Sequence, residues 1–214
     1  MSAGKGDRLD MRAIFSSMTT GAAAVALLAG SISCGDVARQ GRSPAMLIVD
    51  SLQGASGAAP GTFSTFLLSD VQTIVESQPT FFNDVGQASL RLVLKDQGAG
   101  SASPSTLNAV NLNRYHVVFR RADGRNTPGV DVPFPVDGGV TRTIAGNDVV
   151  AVSFEIVRHQ AKLEQPLRSL ANFGGRLFIT TIAEVTFYGS DLAGNAVQAT
   201  GTMNVSFGDY ADPE

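Results

Sequence analysis

Along most of this chain apolar and polar residues alternate with a period near two, and the runs stop at glycine or proline. A period of two puts successive side chains on opposite faces of an extended backbone, so the pattern predicts strands. They are expected at 46–52, 88–95, 115–121, 140–144, 149–158, 176–188 and 196–207, with 62–74 either a further strand or irregular. The run 149–158 is rich in β-branched and aromatic residues: Val149, Val150, Val152, Phe154 and Ile156. In 115–121, Tyr115, Val117 and Phe119 share one face, and His116, Val118 and Arg120 the other. Residues 130–136 include Pro133 and Pro135 and so suit only an edge or an extended connection. Turns are expected at 122–129, 137–139 and 145–148. One helix is predicted: Leu163, Leu167 and Leu170 are spaced i, i+4, i+7, with a start near Pro166 and a stop at Gly174-Gly175.

Roughly eight strands, one short helix and no β-α-β rhythm predict an all-β fold, an antiparallel sandwich over 44–214. Composition agrees: 23 glycines supply many turns, and 43% hydrophobic with 16% charged residues excludes a disordered chain. The length of 214 fits one domain or two small ones, and one domain is the expectation. A net charge of −3 and scattered arginines give no basic footprint, so no nucleic-acid partner is expected.

The first 33 residues differ in kind. Lys5, Arg8 and Arg12 precede an apolar run at 21–30 and the small-residue stretch Ser31-Ile32-Ser33 before Cys34. That order is the order of a secretory signal peptide, with Met1 or Met11 as its start. The apolar run is shorter than the ~18–20 residues that a spanning helix needs. Ile32-Ser33-Cys34 resembles a bacterial lipobox, although Ser31 stands where leucine is usual. The resemblance implies cleavage before Cys34, the chain's only cysteine, and lipidation of its thiol. Residues 34–43 then read as the lipidated cysteine and a flexible tether. The expected partner is a membrane, reached through the lipid on Cys34, and the expected address is the cell envelope. Gly35, in place of an acidic residue, resembles lipoproteins sent to the outer membrane.

Near the other end, Asp191, Ala193, Gly194 and Asn195 resemble the Asp-x-Ala-Gly-Asn turn that precedes the final strand of bacterial immunoglobulin-like domains. Gly and Asn tolerate positive φ, and the Asp side chain caps backbone N–H groups. The resemblance implies an immunoglobulin-like sandwich and says little about activity.

Candidate chemistry is thin. His116 and His159 are the only histidines, and no Gly-x-Ser-x-Gly elbow accompanies them. His-x-x-x-His and Cys-x-x-Cys spacings are absent, so neither a metal nor any other cofactor is expected. Residues 98–105 form a low-complexity loop without the lysine ending of a phosphate loop. Asp209, Asp212 and Glu214 crowd the C-terminus, and Asp123 and Asp191 sit in turns, which keeps a calcium-stabilised adhesion module open. Phe63, Phe66, Phe81, Phe82, Phe134, Phe173 and Tyr210 fall near loops or strand ends, and core packing is the expected use of most of these aromatics. The leading expectation is a non-enzymatic envelope lipoprotein with a structural or binding role. An envelope protein or polysaccharide would be held by loops such as 98–106 and 122–139. A hydrolase of envelope or extracellular polymer, built around His116 or His159 with carboxylates, is the alternative.

Overall fold

The computed structural model describes residues 42–96 and 103–210. The expected signal peptide, Cys34, most of the expected tether, part of the 98–105 loop, Asp212 and Glu214 lie outside the described residues.

The fold is all-β. Ten strands run β1 (Ala45–Ala55), β2 (Phe66–Asp70), β3 (Thr73–Val75), β4 (Gln78–Thr80), β5 (Asp84–Leu94), β6 (Val110–Arg120), β7 (Val136–Ile144), β8 (Val150–Val157), β9 (Phe178–Asp191) and β10 (Ala196–Gly208). A three-stranded sheet is ordered β1-β5-β8, a five-stranded sheet β2-β10-β9-β6-β7, and β3-β4 form a separate hairpin. The expectation of a purely antiparallel arrangement is corrected at one pair. β2 runs parallel to β10, with Phe66–Asp70 aligned in order with Asn204–Gly208.

Each sheet buries one face, and the core lies between them. Leu90 and Leu92 of β5 and Phe154 and Ile156 of β8 face Val117 and Phe119 of β6 and Val185 and Phe187 of β9. The register shifts between β5 and β8 at Asp84/Val85, and the alternation also slips phase in β1 and β6. In β1 the register shifts between Val49 and Ser51, so Leu47 and Leu52 point inward across an odd spacing. In β6 it shifts between Leu112 and Arg114, so Leu112 and Tyr115 do likewise.

Two glycines make room for aromatic packing. A Cβ on Gly86 would stand 2.4 Å from the Phe154 ring, and one on Gly138 would stand 2.3 Å from Tyr115. The Tyr115 ring bridges the layers. Its hydroxyl accepts the Glu155 N–H of β8 at 3.2 Å, and its centroid lies 5.3 Å from that of Phe154. Phe154 in turn meets Phe187 edge-on at 5.4 Å. Burial pushes the Tyr115 hydroxyl pKa up.

Local expectations change in three places. The helix α1 occupies His159–Lys162, and Leu167–Leu170 is a separate 3₁₀ turn. Pro166 has no N–H to continue the first helix, and Leu163 is left exposed. Residues 137–139 are not a turn: β7 runs through them, with Gly138 opposite Tyr115. The β3–β4 hairpin was not expected; Glu76 and Ser77 turn it with positive φ. No helix among the described residues is long and apolar enough to cross a membrane.

Candidate functional site

The strand registers fix two opposite ends of the sandwich. At one end the chain enters β1, beside the β5 terminus, since Ala45 pairs with Leu94. The turn of Asp191 belongs to this end, for Asp191 pairs with the first residue of β6, Val110. At the other end Ala55 pairs with Val85 and Val85 with Glu155, while Gly208 aligns with Asp70 and Phe178. Eleven residues of β1 separate the ends, about 35 Å.

This second, distal end holds a buried ion pair. Lys162 of α1 and Asp84 of β5 meet at 2.8 Å with side chains 1% and 0% exposed. Ser69 donates its hydroxyl to the second Asp84 oxygen at 2.5 Å, and the Gly57 N–H donates to the first at 2.9 Å. Burial pushes the Asp84 carboxyl above its ordinary range, while the Lys162 charge and the three hydrogen bonds pull the other way. The pair thereby ties four separate segments together: the 56–65 loop, β2, β5 and α1.

Two clefts open beside it, one on each side of Phe81-Phe82. The first, about 230 Å³, is almost wholly apolar, with Phe63, Phe82, Pro60 and Val85 among its walls. The second, about 440 Å³, is mixed: Gln72, Arg168 and Asn172 line it with Phe81, Leu163 and Lys162. Its size falls in the range of small-molecule sites, roughly 300–1,000 Å³. Gln72 donates to the Asn172 side-chain oxygen at 3.3 Å. The Leu167–Leu170 turn presents Arg168, anchored by those two buried leucines.

The histidines are apart. His159 faces Asn83, whose side-chain oxygen also accepts the His159 N–H at 2.6 Å. His116 lies on the outer face of the five-stranded sheet with Nδ1 3.0 Å from Asp137 Oδ1. Arg114 on that face stacks 4.1 Å over Tyr188. The arginine pair is engaged as well: Arg120 with Glu184 at 2.7 Å, Arg121 with Asp123 at 2.6 Å.

The turn carboxylates are committed within the chain. Asp191 accepts the Ala193 and Asn195 N–H groups at 3.0 and 2.8 Å and the Asn195 side-chain amide at 2.9 Å, with Gly194 at φ 82°. Burial alone would raise its pKa; the hydrogen bonds from Asn195 and Ala193 win, and the carboxyl lies below its usual range. Arg121 and Arg125 hold the exposed Asp123 carboxyl well below that range. Among the described residues no group of three or more His, Cys, Asp or Glu is placed to hold a metal ion.

The singled-out aromatics correct the expectation of core packing. None of the seven belongs to the buried core. Phe63, Phe81 and Phe82 line the clefts, and Phe66, Phe134 and Phe173 are exposed. Sequence reasoning named neither Asp84 nor Lys162 nor Gln72. Only Lys162 left a trace, as one of just two lysines after Cys34.

No protein-family model matches the chain, and no curated protein does. One solved structure, described as "X-ray structure of Northeast Structural Genomics Consortium target SoR45", aligns with 76% of this chain and 86% of its own at 12% identity, with a TM-score of 0.35. A likeness that slight bears on neither fold nor activity.

Proposed function

We propose that the protein is a membrane-tethered, non-enzymatic binding module of the cell envelope, built as an immunoglobulin-like sandwich and held by lipid on Cys34. One observation carries the binding role. The chain enters the sandwich at residues 43–45, and both clefts lie at the opposite end. A module fastened at one end and concave at the other presents its clefts away from the membrane. Eight residues separate Cys34 from Ser43, a reach of at most about 28 Å. Two or more acyl chains suffice for stable anchoring, so the domain needs no membrane-binding surface of its own.

Strand order supports the immunoglobulin-like reading. The order β1-β5-β8 opposite β2-β10-β9-β6-β7 follows strands A-B-E opposite a G-F-C-C′ sheet with an extra edge strand. The β3–β4 hairpin and the 159–170 segment are then insertions, and no strand D stands among the described residues.

The test is the mass of the N-terminal peptide from the membrane fraction. The expected peptide begins at Cys34 and carries acyl chains. An unmodified terminus, or residues 1–33 still attached, overturns the anchor.

A hydrolase is the second reading, favoured by the 3.0 Å contact between His116 and Asp137. It requires a nucleophile at His116 Nε2, on a sheet face where none of the clefts described above lies. Polymer hydrolysis that disappears in His116→Ala would establish it over the binding role.

A further inference from the structure

We propose that the mixed cleft at the distal end binds a carboxylate-bearing sugar, a uronic-acid unit of an acidic polysaccharide. The proposal rests on the binding role above and names its ligand class.

Charge comes first. Arg91, Arg114, Arg120, Arg121, Arg125 and Arg158 each face a carboxylate of the chain within 4 Å. Arg168 belongs to none of these ion pairs, yet its backbone is fixed: its N–H donates to the Glu164 carbonyl at 2.9 Å, and Leu167 and Leu170 on either side are buried. The other cation of the cleft is already spent. Lys162 commits its ammonium to Asp84 at 2.8 Å. The cleft therefore presents one available positive charge, in a planar fork that matches a carboxylate with two parallel hydrogen bonds. A phosphate, at up to two negative charges near neutrality, would be half neutralised.

The remaining walls point to a polyol rather than a bare acid. The single bond between Gln72 and Asn172 leaves one amide with a free donor and the other with a free acceptor lone pair, the complement of sugar hydroxyls. Phe81 and Leu163 supply apolar surface for the C–H face of a ring. About 440 Å³ accommodates one pyranose with its carboxylate. The neighbouring cleft, smaller and without a charged residue in its lining, lacks these features.

The test is calorimetric titration of the full chain in detergent with glucuronic acid, and with glucose, acetate and an N-acetylated dipeptide as comparison ligands. Glucuronic acid is expected to bind tightest. Arg168→Gln is expected to weaken it about tenfold or more, since a hydrogen bond to a charged group is lost. Arg168→Lys should recover part of that loss, and Arg142→Gln, on β7, should change nothing. Arg168 is exposed, so its variants should keep the parent melting temperature. Glucose or acetate binding as tightly as glucuronic acid overturns the proposal, as does tighter binding of the dipeptide. No binding to the parent, or an unaltered affinity in Arg168→Gln, overturns it too. The two readings fail separately: uronate binding by a chain without lipid sinks only the anchor, and a lipidated chain that ignores uronate sinks only this ligand.

Discussion

Asp84 and Lys162 stand 78 residues apart in sequence and 2.8 Å apart in space, each sealed from solvent. Their mutual attraction offsets a desolvation cost that neither bears alone.

Removing one partner is therefore expected to be far worse than removing both. Lys162→Met should destabilise the fold by about 3–5 kcal/mol, while Asp84→Leu/Lys162→Met should recover much of that loss. Urea unfolding of the two variants and the parent measures this. Equal losses for single and double variants would contradict it.

The same pair sets a pH signature. Without Lys162, only the Ser69 and Gly57 hydrogen bonds oppose the burial that raises Asp84, so its folded pKa rises further above the unfolded value. A raised carboxyl favours folding while protonated and loses that advantage as pH rises. Lys162→Met should thus be closest to the parent near pH 4 and fall progressively behind toward pH 7, in unfolding free energies taken across that range.

Asp191 has the opposite sign. Its carboxyl lies below the ordinary range in the folded state, so its contribution is present above about pH 4 and fades as pH falls further. Asp191→Ala should cost about 1–3 kcal/mol at pH 7, because the Ala193 and Asn195 N–H groups lose their acceptor. The gap to the parent should shrink in acid; a gap that holds constant down to pH 2 would refute the assignment.

Gly86 should tolerate no side chain while Phe154 is present. Gly86→Ala is expected to cost about 1–3 kcal/mol through overpacking against the ring. In a double-mutant cycle with Phe154→Leu the two losses should be strongly non-additive. Additive losses would mean that the backbone at Gly86, rather than the ring, sets the requirement.

What could be read from the chain follows a simple divide. Strand β9 alternates without interruption, and its pattern is visible in the residues alone. β1 and β6 each carry a register shift, so their inward residues change parity, and only the paired strand reveals why. β3 and β4 are three residues each, too short to show a period, and their turn uses Glu76 and Ser77 in place of glycine. The helix was legible as a helical region but misplaced, because Pro166 splits it. At the level of sites, the Asp191 turn was legible because its hydrogen bonds close within five residues. The distal clefts were not. Gln72 and Phe81 flank the β3–β4 hairpin while Arg168 comes from the Leu167–Leu170 turn, and no local pattern announces that the topology gathers them.

The parallel seam between β2 and β10 bears on the timing of assembly. β10 is made after all the other described strands, yet it sits inside the five-stranded sheet, flanked by β2 and β9. Before it arrives, β2 has no neighbour in that sheet, and the places of Met203, Val205 and Phe207 are vacant. A chain emerging N-terminus first from a ribosome therefore cannot lock into shape early. It stays pliable until β10 is out, and a truncated product betrays itself by never closing.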